Sequence, residues 1–164
     1  MNVFHGSKIV VDSPLVSFGR DDLDFGKGFY TTDLRSQAEK WVQRFLKIGN
    51  RAFVSVYEFD KDSAIKNCRY KHFELYDEAW LDFILSNRTG GKDFLHYDIV
   101  EGGIANDRVF NTVELYFDGL IDKAEALKRL RFEKPNKQIC FISQEVLNQY
   151  LHFARADEVL YDGK

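Results

Sequence analysis

The sequence predicts an α+β fold in a single domain over residues 1–164. Three observations lead there. Segments with strand and helix periodicity are interspersed along the chain. No βαβ alternation opens on a glycine-rich first turn, which argues against a Rossmann domain. The composition is 45% hydrophobic and 30% charged, with 15 Phe, 8 Tyr and 2 Trp, so there is material for one core and no sign of a disordered chain.

The elements follow in order. Residues 2–5 and 8–11 are short apolar pieces around His5-Gly6. Residues 12–27 form a long loop with Pro14, Gly19, Gly26 and the acids Asp21, Asp22 and Asp24. A loop of that length in a small domain is more often functional than idle. Gly28 to Thr32 reads as a short strand. Asp33 is expected to cap a helix running to about Ile48, with Ala38, Trp41, Val42 and Phe45 on one stripe and Gly49-Asn50 ending it. Residues 52–59 are β-branched and aromatic and predict a strand. Residues 77–85 predict a helix burying Trp80, Phe83 and Ile84, and 96–100 a strand closed by Gly102-Gly103. Helices over about 106–118 and 122–131, a polar loop at 132–137, a strand at 138–142, a short helix capped by Ser143 and a closing strand near 151–160 complete the list.

Several function classes are disfavoured. A net charge of −3 argues against non-specific grip on nucleic acid by the whole surface, while leaving room for a local basic patch. Cys68 and Cys140 stand far apart without CxxC spacing, which argues against a disulfide framework and for a reducing cytoplasm. His5, His72, His96 and His152 form no metal-ligand pair, and no metal is expected. Neither a signal peptide nor an apolar run long enough to span a membrane is visible.

Three pieces carry chemical interest: Phe4-His5-Gly6-Ser7, the run Phe25-Gly26-Lys27-Gly28-Phe29-Tyr30-Thr31-Thr32-Asp33, and Asn136-Lys137-Gln138-Ile139-Cys140-Phe141. Each alone has a structural explanation: a strand end, a turn feeding a core strand, an edge residue facing water. In this order they resemble the three-part signature of the diphtheria-toxin-like and poly-ADP-ribose-polymerase-like ADP-ribosyltransferases. That signature is a His in the first strand, a Tyr in a Gly-x-Gly-apolar-Tyr segment and a Glu or Gln opening a late strand. The corresponding positions are His5, Tyr30 and Gln138. The whole chain is also similar to a bacterial family of small uncharacterised proteins placed in that superfamily, through Leu23 to Tyr30 and Ile104-Ala105-Asn106-Asp107.

The resemblance implies a split core of two small, mostly antiparallel sheets enclosing an NAD⁺ cleft, with flanking helices. It also implies mono-ADP-ribosyl transfer: the nicotinamide–ribose bond breaks through an oxocarbenium-like ribose, and one ADP-ribose passes to an acceptor protein or nucleic acid. His5 would bond a ribose hydroxyl. Gly6 would offer its backbone to the nicotinamide carboxamide. Tyr30 would stack on the nicotinamide ring, and Gln138 would orient the ribose 2′-hydroxyl. Arg20 is the candidate for the pyrophosphate, or else a solvated loop charge. Gly28 belongs to the binding segment, and Ser7 and Thr31 could add hydroxyl contacts. On the acceptor side stand Glu133, Lys134 and Lys137, with Asp107 as a base or merely a helix cap. An amide at 138 cannot act as a base, which favours single transfer and leaves open a non-catalytic NAD or ADP-ribose-binding module. An RNA 2′-phosphotransferase on the same scaffold ranks lower for want of the further His and Arg residues that family uses. Kinship implies a toxin or phage-defence effector, with a possible neutralising antitoxin partner.

Overall fold

The computed structural model describes residues 1–103 and 107–161, and of Asp107 only the backbone. The expectations placed on Ile104-Ala105-Asn106 and on the Asp107 side chain lie outside the described residues.

The chain is α+β. Strands β1 (Asn2–Ser7), β2 (Phe29–Thr32), β3 (Phe53–Phe59), β4 (Tyr70–His72), β5 (Ile99–Gly103), β6 (Lys137–Phe141) and β7 (Leu151–Glu158) alternate with helices α1 (Arg35–Leu46), α2 (Lys61–Asn67), α3 (Glu78–Arg88), α4 (Asp107–Phe117), α5 (Lys123–Leu130) and α6 (Gln144–Tyr150). All seven strands join one sheet in the order β4-β5-β6-β2-β1-β3-β7, antiparallel except for β4 beside β5. The expectation of two separate sheets is therefore corrected: the hydrogen-bonded order is continuous. The continuity is thin at one place. β1 pairs with β3 from Asn2 to Ser7 but meets β2 only at Phe4↔Thr32.

Each face of the sheet has its own core. Cys140 and Val100 face one core with Phe25, Trp80, Phe83, Ile84, Val113 and Leu130. Ile139 and Phe141 face the other with Val3, Phe29, Tyr57, Phe59 and Leu147. From Ile139 to Phe141, β6 is thus buried on both faces, which is why that stretch reads as an apolar run.

Local chemistry sets most helix ends. Asp77 accepts from the Trp80 N–H (2.9 Å) at the start of α3, and Ser143 from that of Val146 (3.3 Å) at α6. Gly49 stops α1 with φ +78°. Four expectations change. The cap of α1 is Leu34, with no side-chain cap; Thr32 Oγ1 accepts the Leu34 N–H at 3.1 Å instead of Asp33 serving. Trp41 is 52% exposed and not part of a buried stripe. Gly102 and Gly103 lie inside β5, where a Cβ on Gly103 would come within 2.5 Å of the Tyr76 ring. Helix α2, capped by Asp60, and strand β4 fall where the sequence predicted no element.

Candidate functional site

The seam between β1 and β2 is where the sequence-flagged residues gather. In an antiparallel sheet, residues directly opposite share a face and next neighbours along a strand alternate. Phe4 stands opposite Thr32, Thr32 opposite Gln138, and Gln138 also opposite Gly102. Tyr30 stands opposite Cys140. Gly6, Tyr30 and Gln138 therefore share one face. Tyr30 and Gln138 are diagonal neighbours, about 7–8 Å apart along the ladder. His5 belongs to the other face: its ring lies 4.5 Å from that of Phe29, centroid to centroid, on the side of Ile139 and Phe141. The three side chains do not all converge on one face.

His5 nevertheless holds the seam. Its Nδ1 lies 2.7 Å from the Tyr30 carbonyl, on the edge of β2 that faces β1. Burial lowers the pKa of the imidazole from its ordinary value, outweighing that bond, so the ring is neutral near pH 7. A neutral ring donating from Nδ1 keeps an acceptor lone pair on Nε2, and no further hydrogen bond to the ring occurs among the described residues.

Gly6 is required first by packing. A Cβ there would sit 2.6 Å from Val42 Cγ1 and 2.8 Å from the Ala38 carbonyl oxygen, so only glycine lets α1 lie against β1. The same approach sets Trp41 beside it, with Cδ1 3.4 Å from that position. Ser7 spends its hydroxyl on the Ile9 carbonyl.

The loop ahead of β2 is pinned from below. Asp24 meets Arg88 at 2.6 Å, Arg88 meets Glu114 at 2.9 Å, and Asn87 donates to the Asp24 carbonyl at 2.9 Å. Gly26 adopts φ +79°, and a side chain there would overlap the Phe94 ring. A Cβ on Gly28 would lie 2.5 Å from the Phe141 carbonyl oxygen, so its glycine serves close approach to β6. The Tyr30 hydroxyl donates to the Gly26 carbonyl (2.5 Å) and accepts from the Phe25 N–H (3.2 Å). Burial, then the neighbouring Cys140, pushes its pKa well above the ordinary phenol range. Thr31 is buried and donates to the Ile139 carbonyl at 3.2 Å. Gln138 is half-buried, and its amide makes no hydrogen bond among the described residues.

Arg20 is exposed and meets no carboxylate among the described residues. It lies near Arg44, whose guanidinium sits 3.1 Å from the centroid of the Trp41 ring. Neither Trp41 nor Arg44 was singled out by sequence as a site residue; the signal for both was an aromatic and a cation three positions apart on one helix. In the loop before β6, Glu133 is half-buried and Lys134 exposed, while the Lys137 carbonyl accepts from Thr32 Oγ1 at 3.1 Å. A surface cavity of about 380 Å³, lined by Ser36, Glu39, Lys40, Gln43, Val159 and Leu160, lies on the side of α1 away from Gly6 and contains none of the flagged residues.

Among the described residues no group of three His, Cys, Asp or Glu side chains is placed to hold a metal, and no helix is long and apolar enough to cross a membrane. The face around the seam carries the Trp41 and Tyr30 rings, backbone beside Gly6, the Gln138 amide and, among the described residues, two arginines that meet no carboxylate, Arg20 and Arg44.

The fold and site define an α+β protein with a polar, aromatic-edged seam. Residues 1–153 match the family described as "Protein of unknown function (DUF3990)", and the chain belongs to that family. No curated protein and no solved structure matches it.

Proposed function

We propose that the protein is an NAD⁺-dependent mono-ADP-ribosyltransferase. The observation that carries this reading is that Gly6, Tyr30 and Gln138 share one face across the seam, with Trp41 over Gly6. The single bridge between β1 and β2 is where an ADP-ribosyltransferase-like cleft would open within the one continuous sheet.

In this reading the nicotinamide ring lies at Trp41 and Tyr30, whose flat faces suit a flat cation. The backbone at Gly6 meets its carboxamide. Gln138 accepts from the 2′-hydroxyl of the nicotinamide ribose, and Arg20 meets the pyrophosphate. His5 takes a positioning role from the opposite face of the sheet: it fixes Tyr30 through the carbonyl. The bond from C1′ to the nicotinamide nitrogen breaks, and the electron pair leaves with the ring, which becomes neutral. The ribose passes through an oxocarbenium-like state. The acceptor's nucleophilic atom then bonds C1′ and releases its proton to solvent.

Replacing Gln138 by Ala is expected to slow nicotinamide release about 10²-fold, the scale of one transition-state hydrogen bond, with little change in NAD⁺ affinity. Equal release by wild type and Gln138→Ala removes that role. Tyr30→Ala is expected to weaken NAD⁺ binding about tenfold. An amide in place of a carboxylate at 138 also supports a second reading, a non-catalytic NAD⁺ or ADP-ribose-binding module. That module would be stabilised thermally by NAD⁺ yet would release no nicotinamide and label nothing in a lysate given labelled NAD⁺.

A further inference from the structure

Helix α1 presents two parallel stripes. Lys40, Arg44 and Lys47 recur at i, i+4 and i+7, and Trp41, Phe45 and Ile48 run beside them with the same spacing. Trp41 and Ile48 are 52% and 70% exposed. The Arg44 guanidinium lies 3.1 Å from the Trp41 ring centroid and 5.0 Å from that of Phe45. Lys8, just past the end of β1, brings Nζ to 5.4 Å from the Phe45 centroid. Burial, and then the Arg20 charge, pushes the pKa of Arg44 down, so Arg20 belongs to the same cluster.

The cations of this cluster differ from the ion-paired arginines elsewhere in the chain. Arg35, Arg51, Arg69, Arg88, Arg129 and Arg155 each meet a carboxylate. Lys8, Arg20, Lys40, Arg44 and Lys47 meet none among the described residues. The chain carries 26 acids against 23 Lys and Arg, so their lack of ion-pair partners is not for want of carboxylates. Like charges gathered without ion-pair partners repel one another, and among the described residues the cation–π contacts of Arg44 and Lys8 are what offsets that. A polyanion with flat faces would neutralise it.

We propose that this surface binds single-stranded nucleic acid and delivers it as the acceptor to the seam at Gly6. Phosphates would lie along Lys40, Arg44, Lys47 and Lys8, with an unstacked base on the half-buried ring of Phe45. Lys40 to Lys47 spans about 10 Å of helix, longer than one pyrophosphate, so the stripe reaches past what NAD⁺ needs. An acidic peptide would satisfy the charge and leave the aromatic stripe unused, and a duplex keeps its bases stacked out of reach. The acceptor role rests on the transferase reading: a base nitrogen or an oxygen of the strand bonds C1′ as nicotinamide leaves with the bonding pair, and the proton on the attacking atom goes to solvent.

The test is fluorescence anisotropy of the full chain with labelled RNA and DNA strands of about twelve nucleotides, the matching duplex, and polyglutamate. Single strands are expected to bind, more weakly as salt rises, and better than duplex or polyglutamate. The double variant Lys40→Glu/Lys47→Glu should bind at least about tenfold more weakly while releasing nicotinamide from NAD⁺ alone at the wild-type rate. Circular dichroism checks that it folds. Failure of single strands to bind at low salt, equal binding of polyglutamate or duplex, or indifference to the double substitution would overturn the proposal. Strand binding without NAD⁺ cleavage removes the transferase reading and leaves the surface standing. NAD⁺ cleavage with label on protein alone removes the acceptor role and leaves the reaction standing.

Discussion

The buried cluster around Glu101 and the surface cluster around Arg44 handle charge in opposite ways. The Glu101 carboxylate, in the middle of β5, is 2% exposed. It receives Lys61 Nζ at 2.8–2.9 Å and the Tyr70 hydroxyl at 2.7 Å, with His72 Nε2 at 3.9 Å. Burial would raise its pKa; the bonds from Lys61 and Tyr70 outweigh that and hold it below the ordinary carboxylate value. A charge in the interior persists only when its partners are in place. This network joins α2 to the β4–β5 edge and explains itself as architecture. The Arg44 cluster repels itself at the surface and is held there by stacking on Trp41 and Phe45 instead of by carboxylates. The contrast separates residues that hold the protein together from residues that await something else.

Three measurements test this contrast. The largest effect is expected for Glu101→Ala, which strands Lys61 and Tyr70 and should cost about 3–5 kcal/mol in urea unfolding. Nicotinamide release per folded molecule should not change; a loss of activity in fully folded protein would place Glu101 in the site. Next comes Gly6→Val, whose side chain meets Val42 and the Ala38 carbonyl. It should cost about 1–3 kcal/mol by overpacking, and by lifting α1 from β1 it should also abolish NAD⁺ cleavage. Undiminished stability would mean that α1 is not seated on β1 as described.

The smallest effect concerns pH. Burial depresses the pKa of His5 below its ordinary 6.5. The neutral ring's contribution is therefore full above 6.5 and declines as pH falls from there toward the folded-state pKa, because the unfolded chain takes up the proton first. The slope is at most about 1.4 kcal/mol per pH unit for one proton. Glu101, held below its ordinary carboxylate value, contributes its own pH dependence at more acid pH. His5→Gln retains a donor for the Tyr30 carbonyl and should flatten this slope in unfolding curves recorded between about pH 5 and 7; an unchanged slope assigns it to another group.

Much of the fold was legible because its signals are local. Ala52 to Phe59 and Gln138 to Ile142 carry β-branched and aromatic side chains, and strands β3 and β6 occupy those stretches within a residue or two. Asp77 and Ser143 announced their helices through short side chains that reach the next turn. Helix α2 was missed because seven residues from Lys61 to Asn67, with only Ala64 buried, leave little periodicity to read. Strand β4 is three residues long and gains its place only by pairing with β5. At the site, sequence pointed to Gly6, Tyr30 and Gln138 and missed Arg44, whose company of Arg20 and Lys8 comes from segments more than twenty residues away.

Local patterns in the chain specify the α+β class, the order of most elements and the residues flanking the seam, since periodicity and capping depend on neighbours a few positions apart. That the strands form one sheet, that the imidazole of His5 lies on the opposite face from Gln138 and that Trp41 stays at the surface follow from long-range packing. Alternation fixes faces within a strand, but register between strands arises from pairing across long stretches of chain. No local pattern contains that information.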